Sequence, residues 1–201
     1  MNAAAATHEV LKSYYALHSR LYDATRWSFL FGRDTVIQQA AGYIRARKIL
    51  EVGCGTGRNL NALRSTFPDA SITGLDLSRD MLRIAKKHTR DVHFIQSPYD
   101  TPVGGFDLIL CSYALSMFNP GWECAIETAA ADLNPGGIIA VVDFSHTDCM
   151  WFEKWMRRNH VRMQKQLWPL LKSHFISLNE TRHPAYLGLW HYGIYIGRHR
   201  L

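Results

Sequence analysis

The run Lys48-Ile-Leu-Glu51-Val-Gly53-Cys-Gly55-Thr-Gly57-Arg-Asn59-Leu60 decides how the rest of the chain reads. Its first half, Lys48–Gly53, is a short run with β-branched residues that ends on glycine, the pattern of a buried strand. From about Asn59 to Phe67 the residues favour a helix. Glycines between a strand and a helix let the backbone turn tightly and approach a ligand with no Cβ in the way. The N–H groups of such a bend, with the helix N-terminus, favour a negatively charged or carbonyl-bearing ligand.

Outward from this bend, strand-like runs recur at Ser71–Asp76, Val92–Gln96, Phe106–Cys111 and Ile138–Phe144. Helix signals separate them. Ser78 caps a stretch that ends near His88, with Asp80 in its first turn, and Gly121–Leu133 is closed by Asn134-Pro-Gly-Gly137. Upstream, Thr7–Tyr22 reads as a helix with Val10, Tyr14, Leu17 and Leu21 on one face, and a second follows over about Asp34–Ile44. Downstream, one long helix over about 150–172 precedes two strand-like stretches near Phe175–Thr181 and Gly188–Gly197, expected as a hairpin at one sheet edge. Strands with two apolar faces alternating with helices predict a parallel sheet covered on both sides. The expected fold is α/β, doubly wound, with a mostly parallel seven-stranded sheet and an antiparallel strand near the C-terminus.

Composition is consistent with this. The 201 residues, 47% apolar and 20% charged, suit a single folded domain and exclude a disordered chain. The expected division is helices over the active-site mouth in residues 1–45, a cofactor-binding core in 46–145, and a substrate-side helix with the terminal hairpin in 146–201. Four cysteines without CxxC spacing point to a reducing compartment rather than a disulfide scaffold or zinc ribbon. No secretory signal and no 18-residue apolar run is evident, so a cytoplasmic protein is expected. The net charge of +6 favours an anionic partner only weakly.

The bend separates three ligand classes. A P-loop requires Gly-Lys-Ser/Thr, but Arg58-Asn59 follow Gly57. A dinucleotide fold requires G-x-G-x-x-G, whereas here the spacing is G-x-G-x-G with Glu51 two residues before the first glycine. Asp76 closes the second strand in Gly74-Leu-Asp-Leu-Ser78. A carboxylate placed there can accept both ribose hydroxyls, each such bond worth roughly 1.5–3 kcal/mol, and it disfavours a 2′-phosphate.

The spacing Glu51-x-Gly53-x-Gly55-x-Gly57 resembles motif I of class I S-adenosylmethionine-dependent methyltransferases. Phe106–Leu115 resembles the family's fourth motif, and Leu133-Asn-Pro-Gly-Gly137 its turn before a strand. The third strand departs from the family pattern. Ser97-Pro98-Tyr99-Asp100 stands where many relatives have Gly-Asp-Ala, leaving Ser97, Tyr99 or the backbone to meet the adenine amino group. The resemblance implies S-adenosyl-L-methionine as cofactor and no metal. It implies a cofactor site of Tyr22, Arg26, Glu51, Gly53, Cys54, Gly55, Thr56, Gly57, Asn59, Asp76, Leu77, Met81, Ser97, Tyr99, Ser112 and Tyr113, with Leu77 and Met81 against adenine.

Within that family, Leu21–Arg33, Glu51–Leu60, Ser112–Met117 and Val141–Phe144 look like the N-methyltransferases of betaine-lipid synthesis, which methylate the amino group of diacylglyceryl-homoserine. This implies a lipid-amine or small-molecule acceptor, with Tyr22 and Arg26 at the mouth. A methylated cation suits aromatic rings at about 0.5–2 kcal/mol each, and Tyr22, Trp27 and Tyr113 are the candidate rings. The candidate catalytic residues are Tyr113 and His146, with His191 a further candidate base. Between Trp151 and Lys165, Trp151, Trp155 and Met163 share a stripe among basic residues. Such a helix either lies at an anionic membrane surface or packs its stripe on the sheet with solvated charges. No nucleic-acid partner is expected, since Cys111-Ser-Tyr stands where amino-methylating nucleic-acid enzymes carry Asn/Asp-Pro-Pro-Tyr/Phe. The alternatives are a small-molecule or quinone methyltransferase, and a cofactor-binding sensor or partner subunit.

Overall fold

Strands hidden on both faces must lie in the middle of a sheet, and the burial pattern orders them accordingly. In the computed structural model, which describes residues 29–163 and 165–200, β4 (Phe106–Ser112) and β5 (Leu133–His146) are buried almost end to end. β1 (Lys48–Val52) and β2 (Ser71–Asp76) are exposed only at their first residues, whereas β3 (Val92–Gln96) has no fully buried residue, as suits an edge strand. With β6 (Phe175–Ala185) and β7 (Trp190–His199), the sheet has seven strands in the order β3-β2-β1-β4-β5-β7-β6. β1 to β5 run parallel, and β7 inserts antiparallel between β5 and β6. This is the doubly wound, mostly parallel sheet with a terminal hairpin expected from the sequence. The helix read over Thr7–Tyr22, together with Tyr22, Arg26 and Trp27, lies outside the described residues.

Among the described residues six helices cover the sheet. α1 (Arg33–Ala41), α2 (Arg58–Thr66) and α3 (Arg79–His88) contribute Val36, Leu60, Leu63 and Leu82 to the core on one face. α4 (Trp122–Asp132) and α6 (Leu167–His174) contribute Trp122, Ile126, Trp168 and Leu171 to the other. Ser78 caps α3 as its sequence suggests, its hydroxyl accepting the Met81 N–H. Among the described residues no helix is long and apolar enough to cross a membrane.

The long helix expected over 150–172 is two helices, α5 (Met150–Arg158) and α6. α5 ends in a Schellman turn. His160 takes a left-handed φ of 62°, its N–H donates to the Arg157 carbonyl at 3.2 Å, and the Val161 N–H donates to the Met156 carbonyl at 3.0 Å. Val161 is buried beyond the turn, and the Arg162 N–H donates to the Ser116 carbonyl at 2.8 Å, which draws the chain away from the helix axis. Met163 therefore sits outside α5 and shares no helical stripe with Trp151 and Trp155. Those two tryptophans face solvent, and it is Phe152 and Met156 that pack on the core.

β7 has a glycine where α6 presses hardest. A Cβ at Gly193 would lie 2.6 Å from the Trp168 ring, and Trp168 is itself buried. Gly193→Ala is expected to push that ring off β7 and cost about 1–3 kcal/mol. Urea unfolding checks this, and an unchanged midpoint would show that Trp168 moves freely.

Candidate active site

The order of the sheet reverses between β1 and β4, and at such a switch point the loops beyond the strand ends part to leave a crevice. A cavity of about 630 Å³ lies there. Every cofactor-site candidate within the described residues lines it: Glu51, Gly53, Cys54, Gly55, Thr56, Gly57, Asn59, Asp76, Leu77, Met81, Ser97, Tyr99, Ser112 and Tyr113.

The glycine bend is hooked over the end of β2. The N–H groups of Gly53 and Cys54 both donate to the Leu75 carbonyl, at 2.8 and 3.0 Å, and the Gly55 N–H donates to Asp76 Oδ2 at 2.8 Å. The Gly57 N–H turns back to the Cys54 carbonyl at 3.0 Å. Four N–H groups of the bend are thus spent inside the protein. This revises the expectation that they cradle an anion. Gly53, Gly55 and Gly57 all have positive φ, but for different surroundings. A Cβ on Gly53 would meet Ala114 at 2.8 Å, whereas one on Gly55 would meet nothing within 4 Å. Gly53 serves packing, and Gly55 opens on the cavity.

Two carboxylates stand beside the bend. Asp76 accepts the Ser78 N–H on Oδ1 at 2.8 Å as well as that of Gly55. Burial raises its carboxyl above the usual range against those two bonds. Glu51 is buried, with Oε1 accepting from Asn59 Nδ2 at 2.7 Å and Oε2 without a partner. Burial pushes its carboxyl up to about 8. The Asn59 bond and the Arg33 guanidinium pull it down, and Asp76 adds to the rise. Arg33, at the first position of α1, also lines the cavity, although the sequence reading gave it no role. A signal was available, because a cation at a helix N-terminus opposes the helix dipole and invites an anion.

The loop after β3 departs from the family pattern and is fixed from α4. Asp132 Oδ1 accepts the Val103 and Gly104 N–H groups at 2.8 and 2.9 Å, and Oδ2 accepts the Tyr99 hydroxyl at 2.9 Å. Tyr99 thus presents its ring to the cavity while its hydroxyl is engaged elsewhere. Ser97 Oγ is buried without a partner and is the side chain left to meet a ligand there.

The far wall is built from the segment after β4. Tyr113 adopts a left-handed φ of 54°, uncommon for a bulky residue, and is buried against the edge of Phe144 at 4.8 Å. Its hydroxyl donates to the Phe31 carbonyl at 2.7 Å, and burial raises its pKa. Asp143, fully buried, accepts the Ser116 N–H at 3.0 Å and holds the turn carrying Met117 into the wall. Burial pushes its carboxyl up to about 6 against the bonds from Ser116, Phe144 and Leu115. Met117, Phe118 and Pro120 make this end apolar. Sequence reading missed them because no local motif marks them; the buried Asp143 contact places them.

His146 is not among the cavity-lining residues. Its ring stacks on His191 at 4.3 Å and nearly parallel, where β5 meets β7. Cys54 and Cys111 are buried free thiols whose pKa values burial raises, a setting that suppresses thiolate chemistry. Among the described residues no group of three or more His, Cys, Asp or Glu side chains is placed to hold a metal ion.

The sheet order and the crevice at its switch point are those of the class I methyltransferase fold. Residues 49–137, from β1 to the start of β5, match the family model of the methyltransferase domain. Trans-aconitate 2-methyltransferase of Afipia carboxidovorans is 33% identical over 100 residues, covering 49% of this chain and 39% of that protein. Demethylmenaquinone methyltransferase of Tropheryma whipplei is 31% identical over 151 residues, covering 70% of this chain and 61% of that protein. The chain thus spans less than two thirds of the length of these relatives. Among solved structures, the 1,6-didemethyltoxoflavin N1-methyltransferase of Burkholderia thailandensis, bound to 1,6-didemethyltoxoflavin and S-adenosylhomocysteine, superposes with a TM-score of 0.71 at 18% identity, covering 100% of this chain and 92% of that one.

The Glu51 carboxyl gives a pH test. Its folded-state value of about 8 lies above the usual 4.5, so stability from this group is full below pH 4.5 and is lost as pH rises to about 8. Relative to the parent chain, Glu51→Gln should gain about 2–4 kcal/mol of stability between pH 5 and pH 8. Denaturant titrations at both pH values check this, and a pH-independent difference refutes the burial of an unpaired acid.

Proposed function

We propose that this protein is an S-adenosylmethionine-dependent methyltransferase that methylates an amine, with a lipid headgroup as the acceptor. One observation carries the reading: four of the bend's amides, those of Gly53, Cys54, Gly55 and Gly57, are consumed internally while two carboxylates, Glu51 and Asp76, face the same cavity. A pyrophosphate would find those four amides taken and two acids beside them. A ribonucleoside that carries cationic groups finds the opposite.

The residues fit that cofactor. Asp76, whose two oxygens each keep a lone pair beside the Gly55 and Ser78 bonds, would accept the ribose hydroxyls, and Leu77 and Met81 would flank adenine. Glu51 Oε2 and Arg33 would meet the amino and carboxylate groups of the methionine end. Binding of an ammonium would return Glu51 to its charged form, easing the cost of its burial. When bound, the cofactor supplies an activated methyl carbon on sulfur.

The chain's own part is alignment and the exclusion of water. Tyr113 and Met117 would fix the acceptor in line with that carbon, in a wall from which the apolar residues exclude water. Tyr113 donates its hydroxyl to Phe31 and His146 lies off the cavity wall, so neither is placed to act on the acceptor. The acceptor nitrogen would have to arrive neutral and offer its lone pair; the sulfur–methyl bond would break as the new bond formed, its electron pair returning to sulfur, and any proton on that nitrogen would then leave to solvent. The rings of Tyr113 and Phe118 suit a methylated cation.

The aromatic, apolar end also supports a lipid or quinone acceptor better than a polyanion, since Met117, Phe118 and Pro120 offer no cation to an anionic group. The Tropheryma whipplei relative makes a quinone methyltransferase the second reading. A cofactor-binding sensor or partner subunit is the non-enzymatic one. A lipid acceptor would bring the protein to a membrane, and contact of the 150–172 region with an anionic bilayer belongs to this proposal, as does a cytoplasmic location.

Calorimetry with S-adenosylmethionine and S-adenosylhomocysteine should show saturable binding to the parent chain. Asp76→Ala should weaken it by about tenfold or more, as expected for loss of carboxylate hydrogen bonds. Gly55→Val should abolish it while the circular dichroism spectrum is kept, because the new side chain fills the cavity. Unchanged affinity in both variants would refute the assignment. Radiolabelled methyl should then pass to a lipid extract rather than to a pool of small amines. Transfer to a quinone would select the second reading, and binding without transfer the sensor.

A further inference from the structure

We infer that a ridge formed by α5 and the β6–β7 turn is a docking surface for an anionic phospholipid bilayer. The inference rests on the proposed lipid acceptor for its purpose and on the surface itself for its chemistry.

α5 divides its apolar residues unusually. Phe152 and Met156 reach the core, but Met150, Trp151 and Trp155 are 75%, 64% and 46% exposed. Opposite them, the β6–β7 turn places two consecutive non-glycine residues, Tyr186 and Leu187, at left-handed φ values of 47° and 58°. That conformation is costly for side chains of this size. Yet Tyr186 stays half exposed against the rings of Phe29 and Phe31, and Leu187 stands fully in solvent at the tip. The two elements form one surface, because the Phe29 ring lies 6.0 Å from Trp155 and 5.6 Å from Tyr186. Large apolar side chains exposed together in this way mark a contact surface.

Charge selects the partner. Lys154, Arg157 and Arg158 are exposed on α5, and only Arg157 is matched within the helix, by Glu153 at 2.8 Å. Exposed Arg162 follows beyond the Schellman turn. Tryptophan, tyrosine and a protruding leucine beside uncompensated cations are the features with which a peripheral protein enters the headgroup layer of an anionic membrane.

Position connects the ridge to the cavity. The β6–β7 turn lies at the carboxyl end of β5, since His191 at the start of β7 pairs with His146 at the end of β5. From Tyr113 in the cavity wall, rings follow one another outward. Phe144 is 4.8 Å from Tyr113, Trp190 is 5.1 Å from Phe144, Phe31 is 6.0 Å from Trp190, and Tyr186 is 5.7 Å from Phe31. Phe144 and Trp190 are buried, so this is a continuous stack of packed rings that ties the ridge to the cavity wall.

The test floats the full-length protein with vesicles of phosphatidylcholine containing a third phosphatidylglycerol, and with vesicles of phosphatidylcholine alone. The protein should float with the anionic vesicles at low salt and be released at high salt. Lys154→Gln with Arg158→Gln, and separately Trp151→Ser with Leu187→Ser, should each lower the partition by about tenfold or more. Calorimetric affinity for S-adenosylmethionine should be unchanged in both double variants, which separates failure of the ridge from failure of the methyltransferase reading. Three results would overturn the inference. The first is no flotation, or flotation equal in parent and variants. The second is a melting temperature that falls by several degrees in Trp151→Ser with Leu187→Ser while the parent ignores vesicles, which would assign the ridge to an internal contact with residues 1–28. The third is a dimer that the same variant dissociates, which would assign it to a second copy.

Discussion

The Leu75 carbonyl accepts two hydrogen bonds, from the Gly53 and Cys54 N–H groups, and the next amide, that of Gly55, reaches the Asp76 carboxylate. This clasp fixes the end of β1 to the end of β2 and gives the ligand face its shape. It sets Asp76 at the cavity edge, turns Gly55 toward open space, and aims the start of α2 so that Asn59 can reach Glu51. The glycines are needed here less for an anion than for a backbone that folds back on its neighbour. A side chain at Gly53 would strike Ala114, and one at Gly57 would press on Ala85 and Thr89 at 3.0 Å. The ligand face of the cavity therefore depends on a feature that first satisfies the chain itself.

What the sequence made legible was whatever a short window encodes. The strand β1, the bend and the strand-end Asp76 lie within thirty residues of each other, and each is set by local periodicity or by glycine. The Ser78 cap and the stop at Asn134–Gly137 are local in the same sense. What stayed hidden was set by contacts distant in sequence. Residues 150–172 have a helical composition throughout. Their break at His160 follows from a buried Val161 and an amide drawn to Ser116, more than forty positions away. Tyr99 looked free to meet adenine until Asp132, on α4, was seen to hold its hydroxyl. His146 follows the fifth strand where a base would be useful, yet its ring partners His191 because β7 inserts beside β5.

Two buried acids show how one residue type is put to different uses. Asp143 accepts hydrogen bonds from backbone amides and holds the turn that shapes the acceptor wall; its work is complete within the protein. Glu51 is equally buried but has an oxygen with no partner, and its carboxyl is raised further, to about 8 against about 6. Both groups are desolvated, so the difference lies in how far the fold compensates the charge. An acid left incomplete on a cavity wall is the natural place for a ligand cation, and an acid already satisfied is the natural anchor for a loop.

The same reasoning separates the roles of the two ends of the cavity. Near the bend the wall is polar and under-satisfied, with Glu51 Oε2, Ser97 Oγ and Ser112 Oγ all buried without partners. Such atoms cost stability in an empty site and return it on binding, so they favour a ligand that supplies several hydrogen bonds at once. Around Met117 and Phe118 the wall is apolar and asks little of its ligand beyond shape. An enzyme that moves a group between two molecules needs this asymmetry. The donor must be recognised atom by atom, while the acceptor need only be held dry and in line.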